Sequence, residues 1–238
     1  MRIGMLAPMP SELRPLVRKL GLRPSAVPLG TRVHEGRSGS ASVVAATTGM
    51  GTAGAAEAAR RMLDAGDIDH LMVVGIAGGI DDRLAIGDVI RPGVVIDGAS
   101  GAEYRPHPLG EQADPPDQGA LHTSDEFIVD PDRVAALRAR GVIAMDMETS
   151  AVAAVCEERG WPWSVVRAIS DRSSDGMADE AVFELAHPDG SPNLRAVALF
   201  VARHPKRIPG LVRLGRDAGI ATNAAAAAAA EACRRLSR

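Results

Sequence analysis

His70-Leu71-Met72-Val73-Val74 runs directly into Gly75-Ile76-Ala77-Gly78-Gly79. A short apolar run closed by glycines reads as a buried strand ending in a turn, and strands apolar on both sides of the pleat belong to parallel sheets covered on two faces. The flanking sequence repeats the theme. Upstream, residues 3–7 are a strand-like apolar run. A Pro-Met-Pro-Ser-Glu stretch follows, and then Leu13, Leu16, Val17 and Leu20 at helical spacing. Residues 41–47 read as a strand, Thr48-Gly49-Met50-Gly51 as a turn, and residues 53–64 as an alanine-rich helix stopped by Gly66. Downstream, 88–96 is strand-like, and 104–118, with Pro106, Pro108, Pro115 and Pro116, is a long surface loop. A helix at 131–140, a strand at 142–145, a helix at 149–159 and a strand at 163–169 complete the alternation.

The last part is helical, with helices expected at 178–186, 194–202 and, with breaks, 211–236. The alanine run at 224–230 favours helix over disorder because alanine has the best intrinsic helix propensity. Residues 1–238 therefore read as one α/β domain, a central mixed, largely parallel twisted sheet flanked by helices, with an extended helical C-terminal segment at 178–238. At 238 residues and 46% hydrophobic composition the chain can bury one sizeable core.

A formal net charge of −3 and a pI near 6.1, with no basic cluster interleaved with aromatics, argue against nucleic acid as a partner. No apolar run approaches a membrane span, and the first residues make too short a run for a secretory leader, so no membrane partner and a cytoplasmic location are expected. Cys156 and Cys233 are far apart and read as reduced thiols. The six histidines, without HxH or HxxxH spacing, read as surface or loop residues, so no metal site is expected.

Gly75-Ile76-Ala77-Gly78-Gly79 suits close approach of a ligand to the backbone, although glycines also end many strands for purely structural reasons. It lacks GxGxxG spacing, and no GxxxxGK[ST] pattern occurs, so neither NAD nor ATP is indicated and no cofactor is expected. Three carboxylates say more. Asp171 follows the strand at 163–169, Glu148 opens a helix after another strand, and Glu12 lies on the first strand-to-helix loop. Ligands of open α/β sheets sit at the carboxyl ends of strands, where all three could converge. Structural readings stay open beside this one: Glu12 and Glu148 as anions in first helical turns, and Asp171 as a loop or cap residue paired with Arg167 or Arg172.

Several motifs in order carry a resemblance: residues 1–16, Thr48-Gly49-Met50-Gly51, the 75–79 glycines with Ile86-Gly87-Asp88, Met145-Asp146-Met147-Glu148-Thr149-Ser150-Ala151, and Val166-Arg167-Ala168-Ile169-Ser170-Asp171. Residues 1 to about 175 resemble the methylthioadenosine/S-adenosylhomocysteine nucleosidases of the purine nucleoside phosphorylase superfamily. The tail resembles them less. Its 203–217 stretch looks more like phosphorylase-type relatives, a hopanoid-associated group among them.

The resemblance implies hydrolysis of the N-glycosidic bond of a 5′-substituted adenosine, with release of adenine. Asp171 would support departure of the purine at N7, Glu148 would accept the ribose 2′- and 3′-hydroxyls, and Glu12 would deprotonate the attacking water. Phe127 would stack on the base and the Ile128 backbone would read its edge. Met147 would lie along the ribose, Arg167 would brace the ribose-side carboxylates, and Ile76, Ala77 and Gly78 would line the ligand. A homodimer in which a neighbour's loop closes the 5′ pocket is also implied. Two alternatives remain: a phosphorylase, and a non-catalytic nucleoside-binding protein. The phosphorylases of the superfamily hold phosphate with arginines on the first loop and on the strand before the glycines. This chain has Ala7-Pro8-Met9-Pro10-Ser11-Glu12 and Leu71-Met72-Val73-Val74 there, although Arg14 and Arg37 lie close in sequence. A carboxylate about 4 Å from a phosphate charge costs on the order of 4 kcal/mol at an effective dielectric near 20, which favours water.

Overall fold

The computed structural model describes residues 1–65, 67–109, 117–173, 187, 191 and 193–236. In chain order, β1 (Arg2–Ala7) leads into α1 (Pro10–Leu20) and the antiparallel set β2 (Arg23–Ser25), β3 (Val33–Ser38) and β4 (Ala41–Thr47). Next come α2 (Thr52–Asp64), β5 (His70–Gly79), β6 (Val89–Ile90), β7 (Pro92–Asp97), β8 (Glu103–Tyr104) and β9 (Asp117–Thr123). The chain continues through α3 (Pro131–Ala139), β10 (Val142–Asp146), α4 (Thr149–Glu158) and β11 (Trp163–Arg172) to α5 (Leu194–Arg203), a 3-10 turn at Pro205–Arg207 and α6 (Ile208–Leu236).

These strands form one mixed sheet ordered β2-β3-β4-β1-β5-β10-β9-β7-β8, with β11 set beside β5 and β6. β5 is its hub. It runs parallel to β1 through His70–Val73, parallel to β11 along nearly its whole length, and antiparallel to β10 at Gly78 and Gly79. The carboxyl ends of β1, β10 and β11 therefore meet around the second half of β5.

Alternation along β5 builds both faces of the core. Leu71 and Val73 pack with Leu6, Val165 and Ile169 against Ala59 and Met62 of α2 and Val152 and Cys156 of α4. Met72 and Val74 pack with Ile3, Met5 and Val166 against Leu13 and Leu16 of α1 and Ala221, Ala225 and Ala229 of α6. The run of small residues lets α6 lie close on the sheet, and burial of its alanine face, rather than propensity alone, holds the helix there.

Several expectations are corrected. Residues 75–79 are not a turn but the second half of β5, with extended backbone throughout. Glycine is required at 75 because of what crowds it, as described below. The helix expected to break at 211–236 is continuous over 29 residues, since its buried face outweighs roughly 1 kcal/mol per internal glycine. The strand read across 88–96 is two strands, β6 and β7, separated at Arg91. His70 and His122 are buried rather than superficial, because both lie on interior strands. The helix expected at 178–186 and the stop at Gly66 fall outside the described residues. Cys156 and Cys233 are free and buried, their thiols pushed by burial up to about 12.

Candidate active site

A cleft of about 440 Å³ opens at the carboxyl ends of β5, β10 and β11. Glu12, Glu148 and Asp171 all line it. Each arrives by a different local route. Glu12 sits in the first turn of α1 rather than on the preceding loop. Pro10 at the helix start needs no N–H partner there, and the turn favours an anion. Glu148 stands at the N-cap of α4 immediately after β10. Asp171 lies on β11 beside an irregularity in its pairing with β5, opposite Gly78, and the Ser170 hydroxyl donates to its Oδ1 at 2.6 Å.

Glu12 is almost wholly buried. Its Oε2 accepts the Ile76 N–H at 2.7 Å, while Oε1 has no hydrogen-bond partner among the described residues. Burial raises its pKa from 4.5 to about 8, with the Arg167 charge opposing and the Glu148 charge adding to the shift. Glu148 Oε1 accepts the Gly51 N–H at 3.1 Å and Oε2 faces Arg167 Nη2 at 3.3 Å. Burial raises its pKa as well, against the pull of Arg167 and with the push of Asp146.

Behind the cleft stands Arg167, fully buried. Its guanidinium pairs with Asp146, donates to Thr149 Oγ1 at 3.0 Å and reaches the Ile76 carbonyl at 3.3 Å. Asp146 in turn accepts Thr123 Oγ1 at 2.6 Å, the Thr149 N–H at 3.2 Å and the Thr149 hydroxyl. One cation thus faces three carboxylates, those of Asp146, Glu148 and Glu12. Full ionisation of the group would leave two uncompensated buried charges, which is why the two glutamates hold protons above their ordinary range. Burial alone would lower the pKa of Arg167, but Asp146, Glu148 and Glu12 together raise it.

Of the other expected residues, Phe127, Ile128, Met147, Ile76, Ala77 and Gly78 all line the cleft. Arg167 does not line it: it is buried behind the cleft, where it pairs with Asp146 and Glu148. Sequence reasoning missed Asp146, Thr123 and Thr149, although the run Asp146-Met147-Glu148-Thr149 held two of them. It also missed Leu214 and Ala218, through which α6 reaches the cleft. Arg14 is exposed and does not line the cleft, and Arg37 turns to the Ser40 carbonyl at 3.2 Å. Arg172, beside Asp171 and away from Glu12 in the sequence, is the one cation among the lining residues described.

An apolar cleft lined by Glu12, Glu148 and Asp171 and reached from strand ends has the form of the small-molecule sites built on open α/β sheets. Residues 2–122 and 109–203 match the phosphorylase superfamily, and the chain belongs to it. A 5′-methylthioadenosine/S-adenosylhomocysteine nucleosidase of Bacillus thuringiensis is 28% identical over 198 residues, covering 72% of this chain and 86% of that protein. The same-named nucleosidase of Colwellia psychrerythraea, solved with adenine, superposes with a TM-score of 0.73 at 20% identity, covering 99% of this chain and 96% of the other. The futalosine hydrolase of Helicobacter pylori superposes at 0.71 with 17% identity, covering 98% and 97%. At these identities the solved structures establish the fold.

Proposed function

We propose that the chain hydrolyses the N-glycosidic bond of a 5′-substituted adenosine, such as methylthioadenosine or S-adenosylhomocysteine, and releases adenine. The observation that carries this reading is Glu12, a buried carboxylate whose pKa lies near working pH and whose Oε1 has no hydrogen-bond partner among the described residues, in a cleft shared with Glu148 and Asp171. Such a group suits deprotonation of water, and in its ionised form its negative charge opposes phosphate in the same place.

In this reading the base stacks on Phe127 and lies against Ile128. Asp171 donates a hydrogen bond or proton to N7 as the glycosidic bond breaks, so that the purine leaves without a full negative charge. Glu148 accepts the ribose hydroxyls and stabilises the positive charge growing on the sugar, with Met147 along the ribose face. Glu12 takes the proton of the water that attacks the anomeric carbon. Ile76, Ala77 and Gly78 form the floor, and Arg167 holds Glu148 and Asp146 in place. Bond breaking is thereby served by an acid at the base and a base at the water. The adenine bound to the Colwellia nucleosidase supports the purine end of this assignment. The resemblance also supports a cytoplasmic homodimer, which light scattering tests directly.

The deciding experiment follows adenine release from methylthioadenosine in phosphate-free buffer and identifies the sugar. Release without phosphate and a free thiopentose are expected. Strict dependence on phosphate with a sugar 1-phosphate as product overturns the hydrolase reading.

A further inference from the structure

We propose that α5 and the basic turn after it dock this protein on the surface of an anionic lipid bilayer. α5 reads Leu-Arg-Ala-Val-Ala-Leu-Phe-Val-Ala-Arg, and none of its residues is buried. Leu194 is 77% exposed and Leu199 51%, and just beyond the helix Ile208 is 38% and Val212 67% exposed. These are four of the seven large exposed hydrophobics among the described residues, and all four fall between residues 194 and 212. The three buried cores include no residue of α5.

Charge selects the occupant. Residues 194–216 hold Arg195, Arg203, Lys206, Arg207, Arg213 and Arg216 and no Asp or Glu, in a chain of net charge −3. Asp217 is shared by Arg213 at 3.5 Å and Arg216 at 3.2 Å, and the other four cations of this stretch lie on α5 and the turn. The Arg207 guanidinium lies 5.2 Å from the centre of the Phe200 ring, and His204 packs on the same ring at 4.8 Å, which fastens the turn to the helix. Apolar side chains flanked by Arg and Lys on a short helix suit the headgroup boundary, where leucines enter the acyl edge and cations meet anionic headgroups. A second copy across a two-fold axis would set this cationic patch against itself. A nucleic acid would leave Leu194, Leu199 and Val212 against water or phosphate.

Among the described residues no helix is long and apolar enough to cross a membrane, so the contact is at the surface. Span length tests crossing and not docking. α6 carries Ile208 and Val212 at its exposed start and Leu214 and Ala218 in the cleft lining. Docking would hold the cleft beside the headgroups. The proposal does not depend on which nucleoside the cleft takes.

The test is flotation of the full chain with phosphatidylcholine vesicles, with and without roughly a third phosphatidylglycerol, at low and high salt. Binding to the anionic vesicles only, weakened by salt, is expected. Leu194→Glu with Leu199→Glu, and separately Arg203→Glu with Lys206→Glu, are each expected to weaken it at least about tenfold. Folding is checked by circular dichroism and by unchanged turnover of a water-soluble nucleoside. Equal flotation on neutral and anionic vesicles, or anionic binding untouched by both double variants, overturns the proposal. So does the absence of vesicle binding, including the case in which the leucine variants instead dissociate an oligomer and identify the patch as an interface between copies.

Discussion

The Glu12 carboxylate fills the space that a side chain on residue 75 would need: a Cβ there would stand 2.3 Å from Glu12 Oε2 and 2.4 Å from Arg167 Nη1. The glycine in the middle of β5 is therefore a close-approach position, one that lets a carboxylate and its guanidinium neighbour touch the sheet backbone. Gly75→Ala is expected to push Glu12 off the Ile76 N–H and to lower kcat at least about tenfold, because the base must be held within a fraction of an ångström. Steady-state kinetics with a thermal melt check this. A folded variant with wild-type kcat would show that the contact has no bearing on turnover.

Glu12 sets a pH dependence. With its pKa at about 8 in the free enzyme, kcat/KM is expected to rise with pH and level off near that value, since only the ionised form accepts a proton from water. A profile flat from about pH 5 to 9 would remove Glu12 from the role of base. The same shift has a consequence for stability. A carboxyl whose folded pKa is raised contributes stability that is fully present below its unfolded pKa and lost as pH rises toward the folded one. Glu12→Gln is thus expected to be inactive yet to melt higher than the parent near pH 8, with the gain vanishing near pH 4.

Asp171 and Glu148 are separable by kinetics. Asp171→Asn keeps a hydrogen-bonding group but loses the transferable proton, so kcat is expected to fall at least about 100-fold while nucleoside affinity changes less than about tenfold. Near-normal kcat would free Asp171 from the acid role. Glu148→Gln is expected to lower kcat along with affinity, because its contacts strengthen as charge grows on the ribose, and 2′-deoxy substrates should be poor for the same reason. A change confined to KM would make Glu148 a uniform binder.

The site was legible where chemistry coincides with strand ends. Glu12, Glu148 and Asp171 each follow an apolar run, and apolar runs were readable because β1, β5, β10 and β11 are interior strands. β3 was not readable, since Val33-His34-Glu35-Gly36-Arg37-Ser38 carries polar residues on a strand near the sheet edge, where backbone pairing and not burial defines it. Asp146 and Arg167 were in plain sight within motifs, yet only the fold reveals that the two are mutual partners beneath the cleft. Pairwise partners 21 residues apart leave no periodic trace.

Arg167 provides the sharpest test of that buried cluster. Among the described residues it is the one cation facing Asp146, Glu148 and Glu12, and removing one partner of a buried ionic group typically costs roughly 3–5 kcal/mol. Arg167→Met keeps much of the volume and removes the charge, so the three carboxyls lose their counter-ion, and the pKa values of Glu12 and Glu148, raised already in the fold, rise further. A further rise penalises the variant relative to the parent only above the parent's folded pKa, about 8 for Glu12, because below it the carboxyl is protonated in both folded proteins. The part of the destabilisation that comes from these carboxyls is therefore expected to grow as pH rises through about 8 and to be absent near pH 5, apart from what is lost with the side chain and its other partners. Urea unfolding of parent and variant across this range measures it. Arg167→Lys, which keeps the charge but cannot span Asp146, Thr149 and the Ile76 carbonyl at once, should recover part of the stability at pH 8 and little of the turnover. A penalty for Arg167→Met that stays constant with pH would mean that the residue matters for packing alone and that the carboxylates do not depend on its charge.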